Sequence, residues 1–362
     1  MGEGEVYMRW WPLFLLSLSC KSGSSDEPTD AADTDTDTDT DTDTDIDTAA
    51  DTASSTDETG GDTATTPTST GDTAPAFTGD TGPAQPTIDC AALPASPLSF
   101  RKVPAARAYH GIVFTDNGTL IGSDGNSLLE ADNYGNFSVF LPATGSLEQL
   151  DRFDDGTIVA VGNQRVMTIT TAGAATTLAS VPSVYGVRVG PDGMIYTADW
   201  SRVLRIDPTS GATTTLLDAP QLQPKVLDFN IDFTKMYIGT ISNGGKVYEM
   251  DLDATYTPIG NARLLASTPG SWHDGLAVDI CGNLYVAEYN NRAMYRISPA
   301  GQVAELFSST VGYGHGVVFG PGIGGFSETA LYIPQPYDNN EVSEVEIGVP
   351  YRTYTGPVVN GP

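Results

Sequence analysis

The sequence predicts an all-β fold, a six-bladed β-propeller preceded by a disordered low-complexity linker. Three observations carry this. From Arg107 onward a unit of about 40 residues recurs six times, each with four short apolar or β-branched stretches separated by polar turns, the signature of propeller blades. No stretch has the 3.6-residue apolar period of an amphipathic helix. Asp-Thr repeats between residues 33 and 47 lack the apolar residues that would offset the entropy of ordering.

The chain begins with a short apolar run, Trp10 to Ser19, that ends at Cys20. It is shorter than the ~20 residues that span a bilayer and reads as an export signal over residues 1–20. Its Leu-Ser-Leu-Ser-Cys ending resembles the lipobox of bacterial lipoproteins, which implies lipidation of Cys20. Lys21 stands where an aspartate would retain such a protein at the inner membrane. The expected address is therefore exported and lipid-anchored, at the outer membrane or cell surface. Residues 21–87 form the Asp/Thr-rich tether. Between Lys21 and Cys90 there are 18 acidic residues against the single lysine, so like charges keep the segment extended. Its aspartates lack the glycine turn and closing glutamate of a calcium loop. The chain as a whole, with Asp+Glu 46 against Lys+Arg 17 and a formal charge of −29, repels phosphate backbones, which excludes general nucleic-acid binding. A monomer is expected.

With Cys20 assigned to the lipid, two of the three cysteines remain, Cys90 and Cys281. In an exported protein they predict a disulfide pinning the start of the folded domain, residues 91–362, to a later turn. Two free thiols are the other reading.

The repeats open at His110 (HGIVFTDNGTLIGSD), Glu148 (EQLDRFDDGTIVAVG), Tyr185 (YGVRVGPDGMIYTAD), Lys225 (KVLDFNIDFTKMYIGT), Asp274 (DGLAVDICGNLYVAE) and His315 (HGVVFGPG, then an insertion and ALYIPQP). Third strands follow in most units, such as RVLRIDP from Arg202 and KVYEMDL from Lys246. Each sheet buries both faces only against neighbours, so the units must close into a ring. Two segments compete to supply the last outer strand: Phe100 to Val103, ahead of the first unit, and Tyr351 to Thr355, after the sixth.

The fifth unit, WHDGLAVDICGNLYVAEYNNRAMYRISPAGQV from Trp272 to Val303, resembles a blade of the senescence marker protein/gluconolactonase family and, more loosely, NHL-type propellers. The resemblance implies a six-bladed ring and a lactonase-type metal site. That site holds a divalent cation with a first-blade glutamate, two asparagines and a fifth-blade aspartate. Asp274 matches the aspartate. His110 stands at the glutamate position, and Tyr185 and Lys225 at the asparagines. A protonated lysine offers a cation no lone pair.

Independently of any family, the inner strand of a propeller blade starts at one mouth of the central channel. His110, Glu148, Tyr185, Lys225, Asp274 and His315 are therefore expected to converge there. Two arrangements remain open. One is a metal site on His110, Glu148, Asp274 and His315, donors that suit zinc, manganese or iron, with His110, Asp274 and His315 as catalytic groups. The other is a hydrogen-bonded plug with Lys225 paired to Asp274. A ligand rim is expected from Tyr185, Trp200, Lys225, Trp272, His273 and Tyr289, joined by Tyr109 and Tyr313, because aromatic residues beside polar groups suit a pocket. The functions in competition are a surface-tethered binding propeller, a metal-dependent lactonase or ester hydrolase, and a lyase resembling the streptogramin-inactivating propellers with a channel histidine as base. No nucleophile elbow, P-loop, dinucleotide fingerprint or HExxH is present.

Overall fold

The computed structural model describes residues 86–94, 98–241, 244–308, 314–335 and 341–361. The expected signal peptide, Cys20, all but the last two tether positions, and Tyr313 lie outside the described residues. The rest is the expected six-bladed propeller, with six four-stranded antiparallel sheets and no helix among the described residues. Blade 1 runs outward from Ile112–Phe114 through Leu120–Ser123 and Leu128–Ala131 to Phe137–Leu141. Blades 2 to 5 repeat this order from inner strands Gln149–Arg152, Val187–Val189, Pro224–Phe229 and His273–Val278. Blade 6 comprises Val318–Phe319, Ala330–Gln335 and Glu341–Glu346. Its outer strand is Phe100–Arg107, from the other end of the chain, with Phe100 opposite Val345 and Val103 opposite Val342. The segment ahead of the first unit thus closes the ring. Tyr351–Thr355 does not compete for that edge: Tyr351 makes an isolated bridge to Asp279, and the Arg352 amide donates to the Val278 carbonyl at 3.1 Å.

Local sequence explains the hairpins. The first turn of blades 1, 2, 3 and 5 places Gly118, Gly156, Gly193 or Gly282 at φ between 71° and 83°, the left-handed conformation glycine adopts without steric cost. Blade 4 puts Phe233 at φ 57° in the corresponding turn, an uncommon conformation for a bulky side chain. The second strands are almost wholly buried, whereas the outer strands Ala175–Ser180 and Thr213–Asp218 start with three exposed residues because nothing packs outside the ring.

The core consists of six apolar layers, one between each pair of neighbouring blades. The layer between blades 6 and 1 contains Val103, Phe114, Phe326 and Tyr332, so the closing strand is packed as well as hydrogen-bonded. Burying side chains of this size contributes about 1.5–3 kcal/mol each. Second-strand tyrosines keep their hydroxyls satisfied by acids on the same blade: Tyr196 by Asp192 at 2.9 Å, Tyr285 by Asp279 at 3.0 Å and Tyr332 by Glu344 at 2.7 Å.

The first and last described strands meet beside blade 5. Ile88–Asp89 pairs in parallel with Val358–Val359, and Cys90 and Cys281 stand in disulfide-bonding geometry with Cα atoms 5.5 Å apart.

Candidate functional site

The inner strands bring the six equivalent residues to one mouth of the channel, and glycine governs how closely they gather. His110, Tyr185, Asp274 and His315 are each followed by glycine. A Cβ on Gly186 would stand 2.5 Å from the Lys225 carbonyl oxygen, and one on Gly275 2.5 Å from the Gly316 carbonyl carbon. Only glycine lets adjacent inner strands approach this far. Two of the six also sit on irregular pairing. Register shifts between Pro224 and Val226 and between His273 and Gly275 leave Lys225 and Asp274 as extra residues, and bulges of this kind re-aim a side chain.

Lys225 and Asp274, 3 % and 1 % exposed, form an ion pair through Nζ and Oδ1. The ammonium also lies over the Tyr185 ring, 4.0 Å from its centroid, and 5.1 Å from that of Trp272, an arrangement that stabilises a desolvated cation. His315 Nδ1 lies 3.4 Å from Asp274 Oδ2, and its ring stacks on His110 with centroids 4.5 Å apart. His110 Nδ1 is 2.6 Å from Glu148 Oε2, and the Glu148 side chain is 24 % exposed. The contact lacks hydrogen-bond geometry at Nδ1.

Burial dominates the electrostatics. It pushes the Asp274 carboxyl up, opposed by Lys225, and the Tyr185 hydroxyl far up, helped by the Asp274 and Glu148 charges. It pulls His315 down to about 2, with the His110 and Lys225 charges adding to the effect, so that imidazole is neutral at physiological pH.

Sequence reasoning missed Gln149. Its Nε2 donates to the carbonyls of His315 at 2.6 Å and Asp274 at 3.2 Å, tying blade 2 to blades 5 and 6. An amide at the position where four other blades carry glycine was the available signal.

The expected rim divides. Trp200 and Trp272 are 41 % and 38 % exposed. Trp272 stacks on half-buried Tyr289 at 5.3 Å, and Tyr289 meets His315 edge-on at 5.2 Å. Tyr109 packs on His110 at 4.2 Å. Tyr185 and Lys225 belong instead to the buried floor. His273 is not on the rim: it is fully buried, its Nε2 is 2.8 Å from Thr268 Oγ1, and its ring lies beside Gly239 and Gly245. Side chains alternate along the strand, so the neighbour of channel-facing Asp274 faces away. Burial, then Lys225, lowers His273 to about 3.

A divalent cation does not fit this arrangement. The one family-matched acid, Asp274, is engaged by an ammonium, whose charge repels a metal and whose nitrogen has no lone pair to offer. Nor do His110, Glu148, Asp274 and His315 form the expected metal cluster; among the described residues no group of three or more His, Cys, Asp or Glu is arranged to hold an ion.

No curated protein matches the sequence. Solved structures do match the fold. A gluconolactonase from Xanthomonas campestris superposes with a TM-score of 0.60 at 17 % identity, covering 74 % of this chain and 99 % of that one. The calcium-binding protein regucalcin from Agrobacterium tumefaciens gives 0.60 at 17 %, covering 73 % and 98 %. A luciferin-regenerating enzyme gives 0.57 at 17 %, covering 72 % and 99 %. At these identities the likeness is one of fold. The SMP-30/gluconolactonase/LRE-like region, in contrast, matches as a sequence family over residues 102–323, nearly the whole ring. By that match the chain belongs to the SMP-30/gluconolactonase/LRE-like family.

Proposed function

We propose that the protein is a membrane-tethered, monomeric binding propeller whose channel mouth takes a small polar ring compound, a sugar or sugar-derived acid, without a metal ion. The observation that carries this reading is the Lys225–Asp274 pair. It fills the floor with a fixed cation, while Glu148 and the indoles of Trp200 and Trp272 stay open to solvent. Flat aromatic faces beside charged hydrogen-bonding groups suit such a ligand. Titrating the protein with gluconate, followed by tryptophan fluorescence, tests it. Saturable quenching is expected, unchanged by chelator and lost in Trp272→Ala. Quenching that requires an added divalent cation, or none with gluconate and related sugar acids, would overturn it.

One observation favours a second reading, metal-independent lactone hydrolysis at the same mouth. His110, with the Glu148 carboxylate beside it, supplies the residue types of a general base and its charged neighbour. His110 Nε2 would take a proton from water as its oxygen adds to the lactone carbonyl, and the imidazolium would return that proton to the ring oxygen as the ring C–O bond breaks, giving the hydroxyl of the product acid. Hydrolysis of glucono-lactone that survives chelation and is lost in His110→Ala would establish it.

The membrane address belongs to the same proposal. It is supported by the apolar run ending at Cys20 and by the polar length of residues 21–87. An oxidising compartment would also keep Cys90 and Cys281 bonded. Cys20→Ser should release the protein from the membrane fraction or block its maturation, and non-reducing mass spectrometry reads the bridge.

A further inference from the structure

The end of the channel away from His110 and Lys225 carries a second set of charges. Asp151, Arg188 and Asp228 each lie three residues past the mouth residue of their blade, roughly 10 Å along an extended strand. Residues 351–355 join them there. Asp228, fully buried, accepts from the Val278 amide at 3.2 Å and the Tyr351 hydroxyl at 3.2 and 3.3 Å, and pairs ionically with Arg352 Nη2 at 3.1 Å, with Arg188 Nε 3.6 Å away. Arg188 donates Nη1 to the Val187 carbonyl at 3.0 Å and Nη2 to the Leu276 carbonyl at 2.6 Å.

Arg352 is different. It is 6 % exposed, and its guanidinium lies 4.7 Å from the Phe233 ring and 4.8 Å from that of Tyr351. Among the described residues its Nε and Nη1 meet no acceptor in hydrogen-bond geometry. A buried donor left in this state costs about 1–3 kcal/mol, more when it is charged. The blade whose first turn lacks glycine is the one that places Phe233 against this guanidinium. A cavity of about 830 Å³ is lined by Arg188 and Arg352, by apolar Phe153, Val317 and Phe319, and also by the acids Asp151, Asp154 and Glu328. Its volume is that of a small-molecule site. Burial pushes the Asp151 carboxyl up, opposed by Arg188, and both guanidiniums lie against Asp228.

We propose that this cavity binds a small organic carboxylate, its oxygens accepting from Arg352 and its apolar body lying against Phe153, Val317 and Phe319. A planar guanidinium with free donors pairs with carboxylate through charge-assisted hydrogen bonds. The site shares no residue with the proposed ligand-binding mouth and stands or falls apart from it.

The test is a titration of the full ¹⁵N-labelled chain with benzoate, following arginine Nε–H resonances, with the Arg352 signal assigned by its loss in Arg352→Lys. Saturable movement of that signal is expected with benzoate and not with benzamide, which has the same ring without the charge. Calorimetric affinity for benzoate should fall about tenfold in Arg352→Lys. Because a change at Arg352 also touches Asp228, Thr353→Trp provides a second variant. Thr353 is exposed and lines the cavity, so a large side chain there should abolish binding and leave the thermal midpoint unchanged. The proposal is overturned if benzoate, acetate and phenylacetate all leave the Arg352 signal in place, if benzamide moves it equally, or if folded Thr353→Trp binds benzoate as the parent does.

Discussion

At one end of the channel Lys225 meets Asp274 between aromatic faces, with His110 and His315 stacked beside them; at the other, Arg188 and Arg352 converge on Asp228 beneath the C-terminal segment. Both ends take charge out of water. The mouth does so with groups that can exchange protons, and its Glu148 and indoles remain open to solvent. The far end uses guanidiniums, which keep their protons at any physiological pH, and backbone carbonyls and amides complete its hydrogen bonding. Closure of the ring therefore produces two polar poles on one apolar frame, and residue chemistry alone separates a site suited to proton transfer from one suited to holding a fixed anion.

The strongest challenge to this contrast is removal of the acid at each pole. Breaking a buried pair costs about 3–5 kcal/mol because a charge is left without a partner. Asp228→Ala strands two guanidiniums and is expected at the top of that range. Asp274→Ala is expected at the bottom, because the ammonium retains the faces of Tyr185 and Trp272. Urea denaturation of both variants measures the difference, and equal costs would erase the distinction. Next in size is the expected bridge between Cys90 and Cys281, which stand in disulfide-bonding geometry near the far end. Cys90→Ser with Cys281→Ser should cost about 2–4 kcal/mol. Hydrogen exchange should accelerate in residues 350–355, whose backbone pairs with blade 5 beside Cys281, and stay unchanged at the mouth.

Acid should separate the poles as well. His315 titrates near 2 in the fold and near 6.5 in the unfolded chain. Between these values the unfolded chain holds a proton that the fold refuses. Stability is therefore complete above pH 6.5 and falls with acidification, by about 1.4 kcal/mol per pH unit. His273, near 3, acts in the same direction. Asp279, raised to about 6 mainly by burial, acts oppositely between there and 3.8, because the fold then holds the extra proton. The difference between the parent and His315→Gln isolates the mouth: denaturation at a series of pH values should show the variant losing about 1.4 kcal/mol less per unit between about pH 6 and 4. The smallest effect is expected at Phe233→Gly. Removing the left-handed strain returns about 1 kcal/mol, and losing the ring over Arg352 removes about as much. A net change within about 1 kcal/mol is expected from thermal melts.

The blades were legible because every repeat starts its inner strand at the same height, so aligning Asp-Gly and Asn-Gly turns also aligns the residues at the mouth. That alignment located the Lys225–Asp274 and His110–Glu148 neighbours across long stretches of sequence. It misplaced His273, because proximity in sequence to Asp274 means opposite faces on a strand. The far pole went unread for a different reason. Asp151, Arg188 and Asp228 share a register three residues beyond the mouth and interrupt apolar strands, a signal that was present. Their partner Arg352 follows the sixth repeat, where no periodicity assigns it a height. The lysine in place of a family asparagine was visible from the outset. Its consequence, an ammonium seated on Asp274, depended on the glycine-permitted approach of the inner strands, which only the three-dimensional arrangement displays.

The meeting of the first and last described strands beside blade 5 also sets how the ring bears load. Tension applied at residue 86 reaches the parallel pair Ile88–Asp89 and Val358–Val359 first. With Cys90 bonded to Cys281, it then passes into the turn of blade 5. The seam strand Phe100–Arg107, ten residues further on, is shielded from peeling away from Glu341–Glu346. Reduced, the same pull would travel along the chain to that seam, where the ring closes. The state of the cysteine pair thus decides whether a pull on residue 86 strains one hairpin or reaches the seam.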